Sequence, residues 1–264
     1  MPDIASNGVR IRYDVAGSGE PALLFLPGWC DRRTQFHKLA PLCAQRRRIL
    51  AADLPGHGDS ESPPGDFGYR EILAAATAVI EASGAPRVVP VTMAHAGWVA
   101  IGLRRRLGAQ RVPKLVFLDW IVFEPPAHFL QALAGLQDPE RWKSTRAQLF
   151  AVWLLEADRA ISAHVQRTMG DFSFGMWGRA GREIAAAYAR ETSPLTALSA
   201  LEPPTPTLHL YAIPKDEAYR EAQEAFGKSH PWYHSRRLEG KTHFPALETP
   251  DAVASAIEEF LAAP

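Results

Sequence analysis

Between Ala22 and Leu118 short apolar runs alternate with segments of helical periodicity, and no other feature limits the possible folds as strongly. Val9–Val15, which alternates apolar with polar, and Ala22–Leu26, which is continuously apolar, read as an early edge pair. Arg48–Asp53, apolar up to its final aspartate, reads as the buried parallel strand that follows. Gly68–Ser83 places Ile72, Leu73, Ala76 and Ile80 on one helical face and stops at Gly84. Arg87–Thr92 is then a strand, Trp98–Leu107 a helix and Lys114–Leu118 another strand. Strands separated by helices imply a mostly parallel sheet flanked by helical crossovers, an α/β fold.

The rhythm breaks after residue 124. From Pro125 to Ser193 only helical patterns occur, with Phe129, Leu133, Trp153, Met169, Trp177 and Tyr188 among their apolar positions. Strands resume at Thr207–Ala212 and near Ser235–Leu238, and Pro250–Leu261 ends the chain as an amphipathic helix. The expected layout is a core domain of residues 1–124 and 194–264 with a helical cap at 125–193. Such an insertion covers the carboxyl ends of the strands, where open α/β sheets bind ligands. The proline-rich stretch Leu201–Thr207 reads as the return linker.

The 264 residues fit one α/β domain with an insertion. Lysine plus arginine equals aspartate plus glutamate at 29 each, so no global field recruits nucleic acid or an anionic membrane. The local clusters Arg46–Leu50 and Leu103–Leu107 read as solvated faces. Cys30 and Cys43 are too few for a disulfide framework or a cysteine metal site, which fits a reducing cytoplasm. The amino terminus has no apolar signal core, and no run approaches the ~18 residues of a membrane span. These features predict a cytoplasmic protein, a monomer or weak homo-oligomer, whose partner is a small molecule rather than nucleic acid or membrane.

Four stretches carry chemistry. Val91–Val99, VTMAHAGWV, lies between a strand and a helix, where α/β hydrolases carry the nucleophile elbow G-x-S-x-G, yet Ala94 holds the nucleophile's place. Thr92 and Ala96 occupy the glycine positions and are small enough for the turn; a register using Thr92 as nucleophile would point its hydroxyl away from the site. Leu26–Cys30, LPGWC, follows an early strand, and its Trp29 N–H together with the His95 N–H forms the expected oxyanion site. Asp53–Ser60, DLPGHGDS, supports the fold, with His57 packing its loop. Lys241–Glu248, KTHFPALE, precedes the last helix and offers His243 as general base. For its acid partner Asp119 is preferred because it interrupts the apolar run LVFLDWIVF, where an unpaired carboxylate is costly; Asp216 and Glu217, after the next strand, are the alternatives.

Taken together the motifs resemble the cofactor-independent 2,4-dioxygenases of 3-hydroxy-4(1H)-quinolones, which use the α/β-hydrolase fold. The likeness runs through LPGWC, DFGY (Asp66–Tyr69), HAGWV, LDW (Leu118–Trp120), DPERW (Asp138–Trp142), VWL (Val152–Leu154), WGRAGR (Trp177–Arg182), HPWY (His230–Tyr233) and THFPALE, nearly the whole chain. It implies that His243, oriented by Asp119, deprotonates the substrate 3-hydroxyl and that the anion reacts directly with dioxygen. Peroxide attack on C4 and loss of carbon monoxide then give an N-acylanthranilate, with O2 as co-substrate and no metal or other cofactor. A serine at Ala94 is dispensable in that scheme. Trp153 and Trp120 match the family's apolar pocket, and Phe129 and Met176 are placed along the path of a 2-alkyl tail, as in 2-heptyl-3-hydroxy-4(1H)-quinolone. Family members often carry serine where Ala94 stands and histidine where Asp31 stands, so no side-chain role transfers to those positions. Two other readings stay open: a hydrolase or lyase using His243 and water, and a non-catalytic ligand-binding module.

Overall fold

The computed structural model describes residues 2–263. In chain order it forms β1 (Asp3–Ser6), β2 (Val9–Ala16), β3 (Ala22–Leu26), α1 (Leu39–Cys43), β4 (Ile49–Ala52), α2 (Tyr69–Ser83), β5 (Val88–Met93), α3 (Gly97–Arg111) and β6 (Leu115–Leu118). The helices α4 (Ala127–Leu136), α5 (Trp142–Trp153), α6 (Arg159–Met169) and α7 (Phe174–Glu191) follow with no strand between them. The chain ends with α8 (Pro194–Ser199), β7 (Thr207–Tyr211), α9 (Glu217–Ser229), β8 (Tyr233–Arg237), α10 (Pro245–Glu248) and α11 (Pro250–Ala262).

The strands form one eight-stranded sheet of order β1-β2-β4-β3-β5-β6-β7-β8, antiparallel at β1–β2 and β2–β4 and parallel elsewhere. This corrects the early edge pair. β3 is interior, between β4 and β5, and does not neighbour β2. Its five residues are fully buried, and continuous apolarity is satisfied only where both faces are covered. The alternating β2 does lie toward the edge, flanked outward by β1, a short polar strand with no counterpart among the expected elements. The charged α9 also has none.

Register sets the site. Leu26 pairs with Thr92, Met93 with Leu118, and Leu118 with Leu210, so β3, β5, β6 and β7 end in one row. The loops beginning at Pro27, Ala94, Asp119 and Ala212 therefore emerge side by side. α7 is tied to the core by Asp66, which pairs with Arg179 and Arg182, and by Glu183, whose carboxylate accepts from the Tyr69 N–H at 2.8 Å. The Glu183 contact satisfies a first-turn N–H of α2, and the Asp66 pairs join the DFGY and WGRAGR motifs. Cys30 and Cys43 are buried free thiols. Among the described residues no helix is long and apolar enough to cross a membrane.

Candidate active site

His243 Nδ1 lies 2.8 Å from Asp119 Oδ1. Asp119 follows β6 directly and is 3% exposed, a depth at which a carboxylate needs several donors. It has them, because Oδ2 also accepts from the Ala212 N–H at 2.7 Å and the Ile213 N–H at 3.2 Å. With the carboxylate accepting at Nδ1, the His243 proton sits on that nitrogen and Nε2 keeps its lone pair, the arrangement a general base requires. The His243 loop is itself fixed. Glu248 accepts from the N–H groups of Lys241 and Thr242 and from the Thr242 hydroxyl, while the His243 N–H donates to the Trp153 carbonyl at 3.1 Å. The Trp153 ring stacks on His243 with centroids 5.1 Å apart.

Neither alternative acid faces His243. Asp216 caps α9, accepting from the N–H groups of Ala218 and Tyr219, and Glu217 pairs with Arg220 and Arg237 on the surface.

The elbow keeps its shape without a nucleophile. Ala94 has φ 47°, a left-handed conformation that a non-glycine residue adopts only when its surroundings impose it. His95 then sits in the opening turn of a helical segment, where N–H groups lack intrahelical acceptors. Across from it, the Trp29 N–H donates to no protein atom among the described residues. Gly28 packs beside the Met93 carbonyl and the Ala94 methyl, which brings the two loops together. Cys30, with φ 57°, is pinned by its N–H donating to His57 Nε2 at 3.0 Å, while His57 Nδ1 donates to the Pro55 carbonyl. His57 thus packs its loop, as expected, and that loop holds Trp29. Thr92 is buried inside β5.

The other expected residues sort by place. Phe129 stacks on the His95 ring at 5.4 Å. Trp120 is buried beneath that ring and donates its Nε1–H to His95 Nδ1 at 3.1 Å. A Cβ on Gly97 would collide with the Trp120 ring, which explains a glycine at the start of α3. Met176 packs on α7 with its sulfur 3.3 Å from an Arg179 nitrogen, and no hydrogen bond joins it to His243 or His95 among the described residues. Asp31 is buried, accepts from the Arg32 N–H at 2.8 Å, and is pushed up by burial to about 7. Among the described residues no three His, Cys, Asp or Glu side chains are grouped to hold a metal ion.

Three buried imidazoles make stability depend on pH. Burial lowers His57 and His209 to about 4, and burial with the neighbouring His243 lowers His95 to about 3. Above pH ~6.5 these rings are neutral both folded and unfolded and contribute no dependence. As pH falls from ~6.5 to ~4 the unfolded chain binds protons that the folded chain refuses, so stability drops. Asp31 and Asp53, raised by burial, oppose this by holding protons in the folded state. His164, lowered to about 4 by burial and the neighbouring His37, Arg167 and Lys38, acts in the same direction as the three buried rings, and each uncompensated proton costs about 1.4 kcal/mol per pH unit. Urea midpoints are expected to fall steadily from pH 7 to 4.5; a flat or rising midpoint would contradict the assignment of neutral rings.

Comparison with known proteins follows the same lines. Residues 23–256 match the alpha/beta hydrolase family. The 2-heptyl-3-hydroxy-4-quinolone dioxygenase AqdC2 of Rhodococcus erythropolis is 39% identical over 259 residues, covering 97% of this chain and 96% of that protein. The 1H-3-hydroxy-4-oxoquinoline 2,4-dioxygenase of Pseudomonas putida is 36% identical over 265 residues, covering 100% of both. The solved structure of AqDC with its product, which concerns ring-cleavage of the Pseudomonas quinolone signal, matches with a TM-score of 0.94 at 37% identity and covers 100% of both chains. The resemblance carried by the motifs is therefore borne out over the full length, and the chain belongs to the alpha/beta hydrolase family and, within it, to the 3-hydroxy-4-quinolone dioxygenases.

Proposed function

We propose that this protein is a dioxygenase that opens the heterocycle of 2-alkyl-3-hydroxy-4(1H)-quinolones such as the 2-heptyl compound, with His243 as base. The observation that carries the reading is a complete His243–Asp119 pair beside an elbow whose nucleophile position is Ala94. A hydrolase that forms an acyl-enzyme needs an oxygen or sulfur nucleophile at that position; a base that only removes a proton does not.

His243 Nε2 takes the 3-hydroxyl proton, and Asp119 stabilises the imidazolium that forms. The electron-rich anion adds O2 at C2, the peroxide attacks C4, and the ring opens with loss of carbon monoxide to give an N-acylanthranilate. Both atoms of O2 enter the organic product, and no external electron is required. The N–H groups of Trp29 and His95 stabilise negative oxygen on the substrate or peroxide. Trp153, Trp120 and Phe129 form the apolar surface for a flat bicyclic ring, with Met176 along the tail's path. Residues 125–193 act as a cap on the core, supported by the Trp153 contacts to His243 and the Phe129 stack on His95. The reaction uses no metal or organic cofactor. The balanced charge and small aromatic substrate fit a cytoplasmic monomer or weak homo-oligomer without nucleic-acid or membrane partners.

The test is to mix metal-stripped protein with 2-heptyl-3-hydroxy-4(1H)-quinolone in air and follow oxygen and carbon monoxide. Equimolar uptake and release are expected. No uptake with this substrate or its 2-methyl analogue would overturn the reading and leave water-dependent chemistry at His243.

A further inference from the structure

β7 carries His209 in the middle of the run Thr207–Tyr211, fully buried. A polar ring at that depth is tolerable only with both nitrogens engaged. Nε2 accepts from the Trp120 main-chain N–H at 3.2 Å, and Nδ1 lies 2.6 Å from Gln223 Oε1. A main-chain N–H can only donate, so Nε2 bears the lone pair and Nδ1 the proton. The Tyr233 hydroxyl donates to the same Gln223 oxygen at 2.7 Å. One turn earlier on α9, the Tyr219 hydroxyl donates to the Trp120 carbonyl at 3.1 Å and accepts from the Val122 N–H at 3.4 Å. Tyr219 and Gln223 are four residues apart and share a helical face. That face of α9, acting partly through His209, holds the peptide groups on both sides of Trp120.

Asp119 needs such support. Its φ is 48°, in the left-handed region, and the conformation persists only where neighbours over-determine it. Its own N–H donates to the Leu210 carbonyl at 2.8 Å, one residue along β7 from His209. The next N–H, that of Trp120, is the one His209 accepts. Loss of that acceptor leaves a buried donor unpaired and frees the turn to rotate, which swings the carboxylate away from His243.

We propose that His209, held by Gln223 and Tyr233, is a positioning residue that sets the aim of the Asp119 carboxylate on His243. The inference rests on His243 and Asp119 acting as base and orienting acid. It extends the reaction's machinery to α9 and to the HPWY motif, whose Tyr233 closes the string.

The experiment compares His209→Leu, His209→Gln, Asp119→Asn and the double variant His209→Leu/Asp119→Asn by steady-state oxygen uptake across pH. Small misplacement of a catalytic group costs up to about 100-fold. His209→Leu is expected to lower kcat by about 10–100-fold with KM within about twofold, and to move the apparent pKa of the base in the kcat/KM profile. His209→Gln, whose amide oxygen reaches the place of Nε2, recovers most of the loss. In the Asp119→Asn background His209→Leu has almost no further effect, because both act through one carboxylate. A folded His209→Leu with wild-type kcat and an unmoved pH profile, beside an inactive Asp119→Asn, overturns this inference alone. Wild-type activity in Asp119→Asn overturns the underlying assignment of the pair instead. If His209→Leu does not fold, Gln223→Met is judged by the same criteria. It removes the acceptor of the His209 proton, and the Gln223 amide nitrogen has no partner to lose among the described residues.

Discussion

His243→Ala is expected to lower kcat/KM for ring cleavage by about 100- to 10,000-fold at pH 7, the range that one positioned general base supplies. The loss falls on kcat, because His243 reaches the substrate through a single nitrogen while the aromatic contacts of Trp153 and Phe129 remain to bind it. The residual activity is expected to rise with pH, since solvent then delivers substrate already deprotonated at its 3-hydroxyl, and added imidazole is expected to restore part of the rate. The variant also leaves Asp119 Oδ1 without its donor while Oδ2 keeps two. Stability should therefore fall by about 1–3 kcal/mol, small enough to assay folded protein at moderate temperature. Oxygen uptake at the wild-type rate, with folding verified by its melting curve, would falsify the role given to His243.

The parts of this site that were legible in the sequence are those where a residue type conflicts with its surroundings. Asp119 breaks an otherwise apolar run, and a carboxylate there has to find a partner; His243 stands in a late loop with few competing ring nitrogens. Ala94 was legible for the opposite reason, as an apolar residue where a hydroxyl was due. His209 carries the same kind of signal as Asp119, a lone polar ring inside TLHLY, but nothing in the sequence shows that it meets Tyr233 of HPWY or Gln223. Tyr233 comes from β8 and Gln223 from α9, whose charged outer face obscures the short inward face that Gln223 shares with Tyr219. Position within the sheet was equally out of reach. The composition of Ala22–Leu26 requires cover on both faces, but only pairing registers decide which strands supply its flanks. The left-handed turns at Cys30, Ala94 and Asp119 leave no trace, since none is a glycine; tertiary contacts impose them.

Asp119→Asn is expected to be as damaging as loss of His243, up to about 10,000-fold in kcat, although it changes one atom and leaves the fold intact. Asparagine tolerates the left-handed conformation well, so the turn survives. The orientation of its amide is not free. The N–H groups of Ala212 and Ile213 both donate to Oδ2, so the single carbonyl oxygen of asparagine has to face them. The NH2 group is thereby aimed at His243 Nδ1, which can then only accept. The imidazole proton moves to Nε2, and the nitrogen that should take the substrate's proton already carries one. A wrong tautomer of this kind costs about 10,000-fold in serine proteases, where an aspartate orients the base in the same way. Two readouts separate this from general damage: the melting temperature should shift by only a few degrees, and nitrogen chemical shifts of His243 should report protonation at Nε2 rather than Nδ1. A variant with the Nδ1–H tautomer and full activity would show that the base is oriented by something other than Asp119. One with the Nε2–H tautomer and full activity would show that proton removal by His243 is not on the path.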